Sequence, residues 1–418
     1  MQKQIFSPLN AVIILMAVSF LNACESVLDV SETSSEVEGL DITLSGEAEN
    51  VLEQHFGENI MIDQLENYED QELPNYINDD NTGTNRITDE GATLGRVLFY
   101  DNSLSVDESV SCASCHQQEH AFGDVEQASQ GVAGTTGRHS MRLVNARFGD
   151  EERFFWDERA RSLEFQTTQP IQDHVEMGFS GQDGDPSIED LVLKLQNTEY
   201  YPPLFELAFG DPEVTEDRMQ LAMAQFIRSI QSFDSRFDAG LEATGDVDDP
   251  FDNFNDLQNL GKQLFLGGPG NGPGGPMGAA PIGGAGCNAC HQAPEFAIDD
   301  DSDNNGVIGV IGDPNAQDLN VTRSPTLRDL FKVTGELNGP MMHTGDFTSM
   351  EQVIDHYNNL PQAALNDNLD PRLRPRGMPQ RLNLDQEEVD ALVAFMKTLS
   401  GSDVYTNTKW SDPFVRSE

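Results

Sequence analysis

"CASCH", Cys112 to His116, and "CNACH", Cys287 to His291, decide how this chain folds. C-x-x-C-H is the spacing by which a c-type haem is attached. Two thiols three residues apart can each add to one haem vinyl, and the adjacent histidine then lies under the iron as proximal ligand. The two motifs use four of the five cysteines. An oxidising compartment would also permit disulfides. A zinc ribbon needs its cysteine pairs about 15–20 residues apart, whereas 172 positions separate Cys115 from Cys287. The motifs therefore predict two covalently bound haems c, one on Cys112, Cys115 and His116, the other on Cys287, Cys290 and His291.

The surroundings of the two motifs repeat. "LGRVLFYDNSLS" from Leu94 precedes the first and "LGKQLFLGG" from Leu260 the second; "HQQEHAF" and "HQAPEF" follow. A repeated context implies a repeated unit. The predicted class is mainly α, with two cytochrome-c-like helical domains, one haem each, and few strands. The expected domains are 89–248 and 249–405, with a tail at 406–418. The acidic segment from Asp238 to Phe254 is the expected boundary. "TEDRMQLAMAQFIRSIQSF", Thr215 to Phe233, and "DQEEVDALVAFMKTLS", Asp385 to Ser400, carry helical apolar spacing behind acidic first turns. The glycine- and proline-rich stretch Gly267 to Gly286 reads as a flexible loop beside the second haem.

The chain opens on Lys3 and an apolar run from Asn10 to Cys24, the pattern of a secretory signal. "LNAC" resembles a bacterial lipobox, which makes 1–23 a lipoprotein signal peptide and Cys24 the lipidated first residue. Residues 24–88 read as an acidic tether and N-terminal arm. No later stretch reaches the ~20 apolar residues of a membrane span, so the expected location is the periplasm, on a lipid anchor. The formal net charge is -48, which argues against nucleic acid and suits basic partners or plain solubility. In "DDDSDNNG", Asp299 to Gly306, the residues from Asp301 begin like an EF-hand loop, but the twelfth position from Asp301 is Gly312 rather than Glu; the stretch reads as a solvated loop.

"EQVIDHYNNL", Glu351 to Leu360, places a histidine beside a tyrosine. Thr348 is the expected helix cap, with Glu351 as its capping-box partner. Met350, Val353, Ile354, Tyr357 and Leu360 then share one face. His356 is turned about 100° from Tyr357 and is expected at the surface. From periodicity alone Tyr357 is a core residue.

Residues 89–401 resemble the bacterial di-haem cytochrome c peroxidase superfamily, which includes MauG. The likeness rests on "CASCHQQEHAFGD", "RFFWDERARSLEFQTTQPI", "HVEMGF", "CNACH", "RSPTLRD", "GPMMHTGDF" and "VIDHYNN" in that order. It implies that hydrogen peroxide reacts at the haem on His116, and that the haem on His291 passes or stores electrons. Trp156 matches the tryptophan between the haems, Glu176 the distal carboxylate that moves protons, and Pro170 a neighbour lining the distal pocket. Classical members carry a distal histidine in the loop here written "ASQGVAGTTGRHSM", Ala128 to Met141, which has none before His139. The resemblance also implies a calcium between the haems. His139 stands where the family usually has an asparagine donor, leaving the carbonyls of Asn338 and Pro340. His120 and His174 are expected at the surface or in hydrogen bonds. Tyr357 lies fourteen positions after His343, where classical peroxidases place a methionine ligand and MauG a tyrosine. The resemblance thus makes Tyr357 the second axial ligand of the His291 haem. The implied electron source is a small cytochrome c or cupredoxin, or, in a MauG-like enzyme, a protein substrate. A passive di-haem carrier is the third reading.

Overall fold

Two crossed helix pairs carry the architecture, and the repeated glycine explains both. In the computed structural model, which describes residues 44–149, 153–268, 284–298 and 302–416, the helices are α1 (Gly46–Phe56), α2 (Asp89–Tyr100), α3 (Cys112–Cys115), α4 (Leu163–Thr167), α5 (Ile188–Gln196), α6 (Tyr201–Phe209), α7 (Glu216–Ser229), α8 (Arg236–Thr244), α9 (Asp256–Leu266), α10 (Met350–Asn359) and α11 (Gln386–Met396). Strands among these residues are limited to two short antiparallel pairs, β1 (Gln130–Gly131) with β2 (Gly134–Thr135) and β3 (His291–Gln292) with β4 (Ala297–Ile298). The mainly helical expectation holds. The signal segment, Cys24, residues 269–283 of the glycine-rich stretch and residues 299–301 lie outside the described residues.

Helix α2 packs on α7, and α9 packs on α11. A Cβ at Gly95 would sit 2.0 Å from the carbonyl oxygen of Ala222 and 2.8 Å from the Cβ of Phe226. A Cβ at Gly261 would sit 1.9 Å from the carbonyl oxygen of Ala391 and 2.8 Å from the Cβ of Phe395. Only glycine admits backbones this close. The L-G-x-x-L-F repeat is therefore a helix-crossing device used twice, against an Ala-x-x-x-Phe partner each time. Thr215 caps α7 through the amide of Arg218, and Asp385 caps α11 through that of Glu388.

The core gathers in three apolar clusters. Leu94, Leu98, Leu204 and Met223 belong to one apolar cluster, and Phe99, Phe122 and Phe226 to another beside it. Phe237, Phe265, Phe296 and Phe395 centre a third. The acidic Asp238–Phe254 segment joins α8 to Phe251 and Phe254 in that third cluster, and Asp238 is buried in an ion pair with Arg328 at 2.9 Å. The described residues form one compact unit.

Both ends of the described chain are built into the core. Within the expected acidic tether and N-terminal arm lies α1, capped by Ser45, with Leu52 and Phe56 fully buried. Phe414 stacks against Phe56 at 5.2 Å, the Val415 amide donates to the His55 carbonyl at 2.9 Å, and Trp410 is 1% exposed. Composition marked 24–88 as acidic, but α1 contributes only a narrow apolar stripe, too short to stand out in the sequence. The expected solvated loop is also corrected over its described part. Asn304 is fully buried; its amide donates to the carbonyls of Asp318 and Asn320, and its oxygen accepts from the Gly306 amide and from Asn366. A polar run can be a buried hydrogen-bond hub when every group finds a partner, and composition does not reveal that.

Candidate active site

Each CxxCH motif lines a cavity. The first, about 710 Å³, gathers Cys112, Cys115 and His116 with Pro170, Glu176 and Trp156. The second, about 470 Å³, gathers Cys287, Cys290 and His291 with Tyr357. The four cysteines are free thiols rather than disulfides, and each motif forms a single short helical turn, α3 in the first and residues 287–289 in the second. The turn sets both sulfurs and the following imidazole on one side.

His116 is oriented by its neighbours. Its Nδ1 lies 3.1 Å from the carbonyl oxygen of Phe122, a bond that requires Nδ1 to carry the proton and leaves Nε2 free to bind a metal. Ala121 and Phe122 both hold positive φ, 55° and 58°, to turn that carbonyl inward. Burial pushes the pKa of His291 down to about 4, so the ring is neutral. A neutral imidazole is the form a metal needs.

Glu176 is half-buried in the wall of the first cavity. Burial, and then the nearby Asp173 carboxylate, raise its pKa to about 7, against a smaller opposing pull from Arg159. The part of the 128–141 loop before His139 packs against this wall. The amides of Val132 and Ala133 donate to the carbonyls of Glu176 and Val175 at 3.0 and 3.2 Å, an approach that Gly131 permits because a Cβ there would lie 2.2 Å from the Val175 carbonyl oxygen.

Trp156, His139, Ser140, Met141, Arg142 and Arg323 line both cavities, so one wall separates them. The Trp156 indole donates to the His139 carbonyl oxygen at 2.6 Å, and its own carbonyl accepts from the Arg323 amide at 2.8 Å. The His139 ring turns aside, its Nδ1 3.0 Å from the Glu126 carbonyl oxygen. His174 pairs with Asp185 at 2.6 Å on the surface. Asn338 is buried and donates to the Asp329 carbonyl and to the Tyr405 hydroxyl.

Helix α10 brings Met350, Val353, Ile354 and Tyr357 to the second cavity, as the periodicity predicts. Two expectations there are corrected. The cap is Ser349, not Thr348: its hydroxyl accepts from the Gln352 amide at 3.3 Å, and the Gln352 carboxamide returns the bond. His356 is not at the surface: it is 6% exposed, with Nε2 3.0 Å from the carbonyl oxygen of Asn305. A single helix cannot reveal that its second flank is covered by a segment some fifty residues away.

The cavities carry the marks of a bound group. Both ring nitrogens of His343, which is 3% exposed in the first cavity's wall, lack a hydrogen-bond partner, and so does Nε of Arg142 between the two. Buried polar atoms of this kind are normally satisfied. Free thiols, neutral oriented imidazoles and two large apolar-lined cavities fit haem at both places.

The profile for di-haem cytochrome c peroxidase (CCP_MauG) matches residues 89–246. The methylamine utilization protein MauG of Methylorubrum extorquens is 31% identical over 327 residues, covering 75% of this chain and 79% of its own. The chain is a member of the di-haem cytochrome c peroxidase/MauG superfamily. The cytochrome c551 peroxidase of Nitrosomonas europaea is also similar, 27% identical over 74% of this chain and 80% of its own. A MauG-like protein associated with microbial copper homeostasis shares the fold at a TM-score of 0.63, with 25% identity over 82% of this chain and 99% of that one. As a member of this superfamily the protein is a haem-dependent oxidoreductase. Among the described residues no helix is long and apolar enough to cross a membrane, and no group of three or more His, Cys, Asp or Glu is placed to hold a metal ion.

Proposed function

We propose that this di-haem protein reduces hydrogen peroxide in the first cavity and exchanges electrons through the second. The observation that carries the reading is Glu176: a carboxyl with a pKa near 7 in a cavity wall shared with Pro170 and His116. A haem held by Cys112, Cys115 and His116 would supply the redox chemistry. The protein manages protons and access. Near neutral pH Glu176 is poised between its two forms, so one oxygen can take a proton from bound peroxide and return it to the departing oxygen. Gln130 and Gly131 line the cavity beside it and offer no competing imidazole. Trp156 stands in the common wall, and its N–H is bonded to a carbonyl, which is not a base. An electron can therefore leave the indole without the proton following.

Cys112, Cys115, Cys287 and Cys290 would hold the two haems by thioethers, with His116 and His291 as proximal ligands and Tyr357 as the second ligand to the haem on His291. A phenolate is a hard anionic donor that favours ferric over ferrous iron. That preference, with Tyr357 lining the second cavity, supports a second reading in which the electrons come from residues of a bound partner protein, as in a MauG-like enzyme. In the first reading they come from a small cytochrome c or cupredoxin. We place the protein in the periplasm, tethered through Cys24. Stopped-flow mixing of the diferric holoprotein with hydrogen peroxide tests the function: rapid oxidation without prior reduction is expected, and a protein inert until half-reduced would overturn it. Turnover with reduced cytochrome c or cupredoxin then separates the two readings.

A further inference from the structure

Asn305 occupies a singular place in the second cavity, whose wall it shares with Tyr357 and Met342. Its main chain is held by α10: the carbonyl oxygen accepts from Nε2 of His356 at 3.0 Å. His356 is itself buried, edge-on to Phe347 at 5.7 Å and to Tyr357 at 5.0 Å. The side chain is also oriented. Oδ1 accepts from the Val307 amide at 3.0 Å, so the amide cannot flip without losing that bond. Nδ2 is thereby the end presented to the cavity. It lies 3.5 Å from Sδ of Met342, in the wall shared with Tyr357, where its N–H favours the charged form of the phenol. The preceding residue, Asn304, is fixed by four partners of its own, so the donor sits on a rigid segment.

We propose that Asn305 is the positioning residue for Tyr357: its carboxamide N–H sets the direction and donor strength of the phenol oxygen toward the iron, and His356 anchors it. The proposal rests on the reading of Tyr357 as axial ligand. Groups hydrogen-bonded to a metal ligand both orient it and tune it. An N–H aimed at an anionic oxygen draws charge from it through a charge-assisted bond. Less charge then reaches the iron, and the ferric state is favoured less than a bare phenolate would favour it. His356 therefore acts at second remove rather than as a ligand, which is why a histidine and a tyrosine stand side by side on α10.

The test is a spectroelectrochemical titration of the holoprotein with both haems attached. Asn305→Leu removes the donor without adding charge. Asn305→Asp keeps the acceptor for the Val307 amide and also removes the donor. Both variants should lower the midpoint potential of the haem on His291 and shift its phenolate-to-iron charge-transfer band, with the signals of the haem on His116 unchanged. His356→Phe should move potential and band in the same direction by less, and His356→Gln, which retains a donor, should restore part of the shift. Potential and band unmoved in Asn305→Leu, while Tyr357→Phe abolishes the band, would overturn the inference and leave the ligand reading standing. A band that survives Tyr357→Phe would overturn the ligand reading, and the inference with it.

Discussion

The indole N–H of Trp156 donates to the carbonyl oxygen of His139 at 2.6 Å, in the wall common to both cavities. Trp156→Phe keeps a ring in place and removes that bond. Two haems per chain should still be incorporated, and the reaction of peroxide in the first cavity should survive. Electron transfer to the second haem should slow. Rapid-freeze EPR of peroxide-treated protein checks this: the oxidising equivalent should stay in the first cavity, and a wild-type distribution would remove Trp156 from the path.

Glu176 titrates where the reaction has to run. Replacement by Gln should slow the peroxide reaction by about 10² or more, within the range of a lost acid–base group. The wild-type rate should rise with pH through an inflection near 7, as the carboxylate form that accepts the proton accumulates. The inflection should vanish in Glu176→Gln. Stability should move the other way. The folded-state pKa is raised above the unfolded value of about 4.3, so ionising this buried carboxyl opposes folding from the unfolded pKa upward, and the opposition levels off above about 7. Glu176→Gln should therefore gain more stability over wild type at pH 8 than at pH 4, read as the difference in denaturation midpoint.

The helix crossings predict a matched pair of defects. Gly95→Ala and Gly261→Ala each force a methyl into a backbone carbonyl, and overpacking of this kind costs about 1–3 kcal/mol. Gly46→Ala, with nothing within 4 Å of the added atom, should change little. Urea titration of the three variants checks the contrast. Equal stability of all three would mean that the crossings are looser than described.

Arg328 and Asp238 form a buried ion pair at 2.9 Å, and Arg328 is fully buried among Phe233, Phe237 and Phe296. Arg328→Met fills the space but strands the Asp238 carboxylate, which should cost about 3–5 kcal/mol. The double variant Arg328→Met, Asp238→Leu should recover much of the loss. Chemical denaturation of the single and double variants measures the difference.

Features set by short-range geometry were legible in the sequence alone. C-x-x-C-H is a single turn, so its spacing places thiols and imidazole together wherever the chain goes. L-G-x-x-L-F and the apolar stripe from Met350 to Tyr357 are helix periodicity, and they marked two like helix crossings and the inward face of α10. What only the tertiary structure decided depends on partners far apart along the chain. His356 is buried because the 302–306 segment crosses its flank. The two ends meet because Phe56 and Phe414 need a common apolar neighbour. Trp156 becomes a shared wall only when residues far apart along the chain form a cavity on each side of it. Glu176 has its pKa because burial strips water from a carboxyl that its local sequence leaves indistinguishable from a solvated one: desolvation is a property of the packed surroundings, and no run of neighbouring residues encodes it.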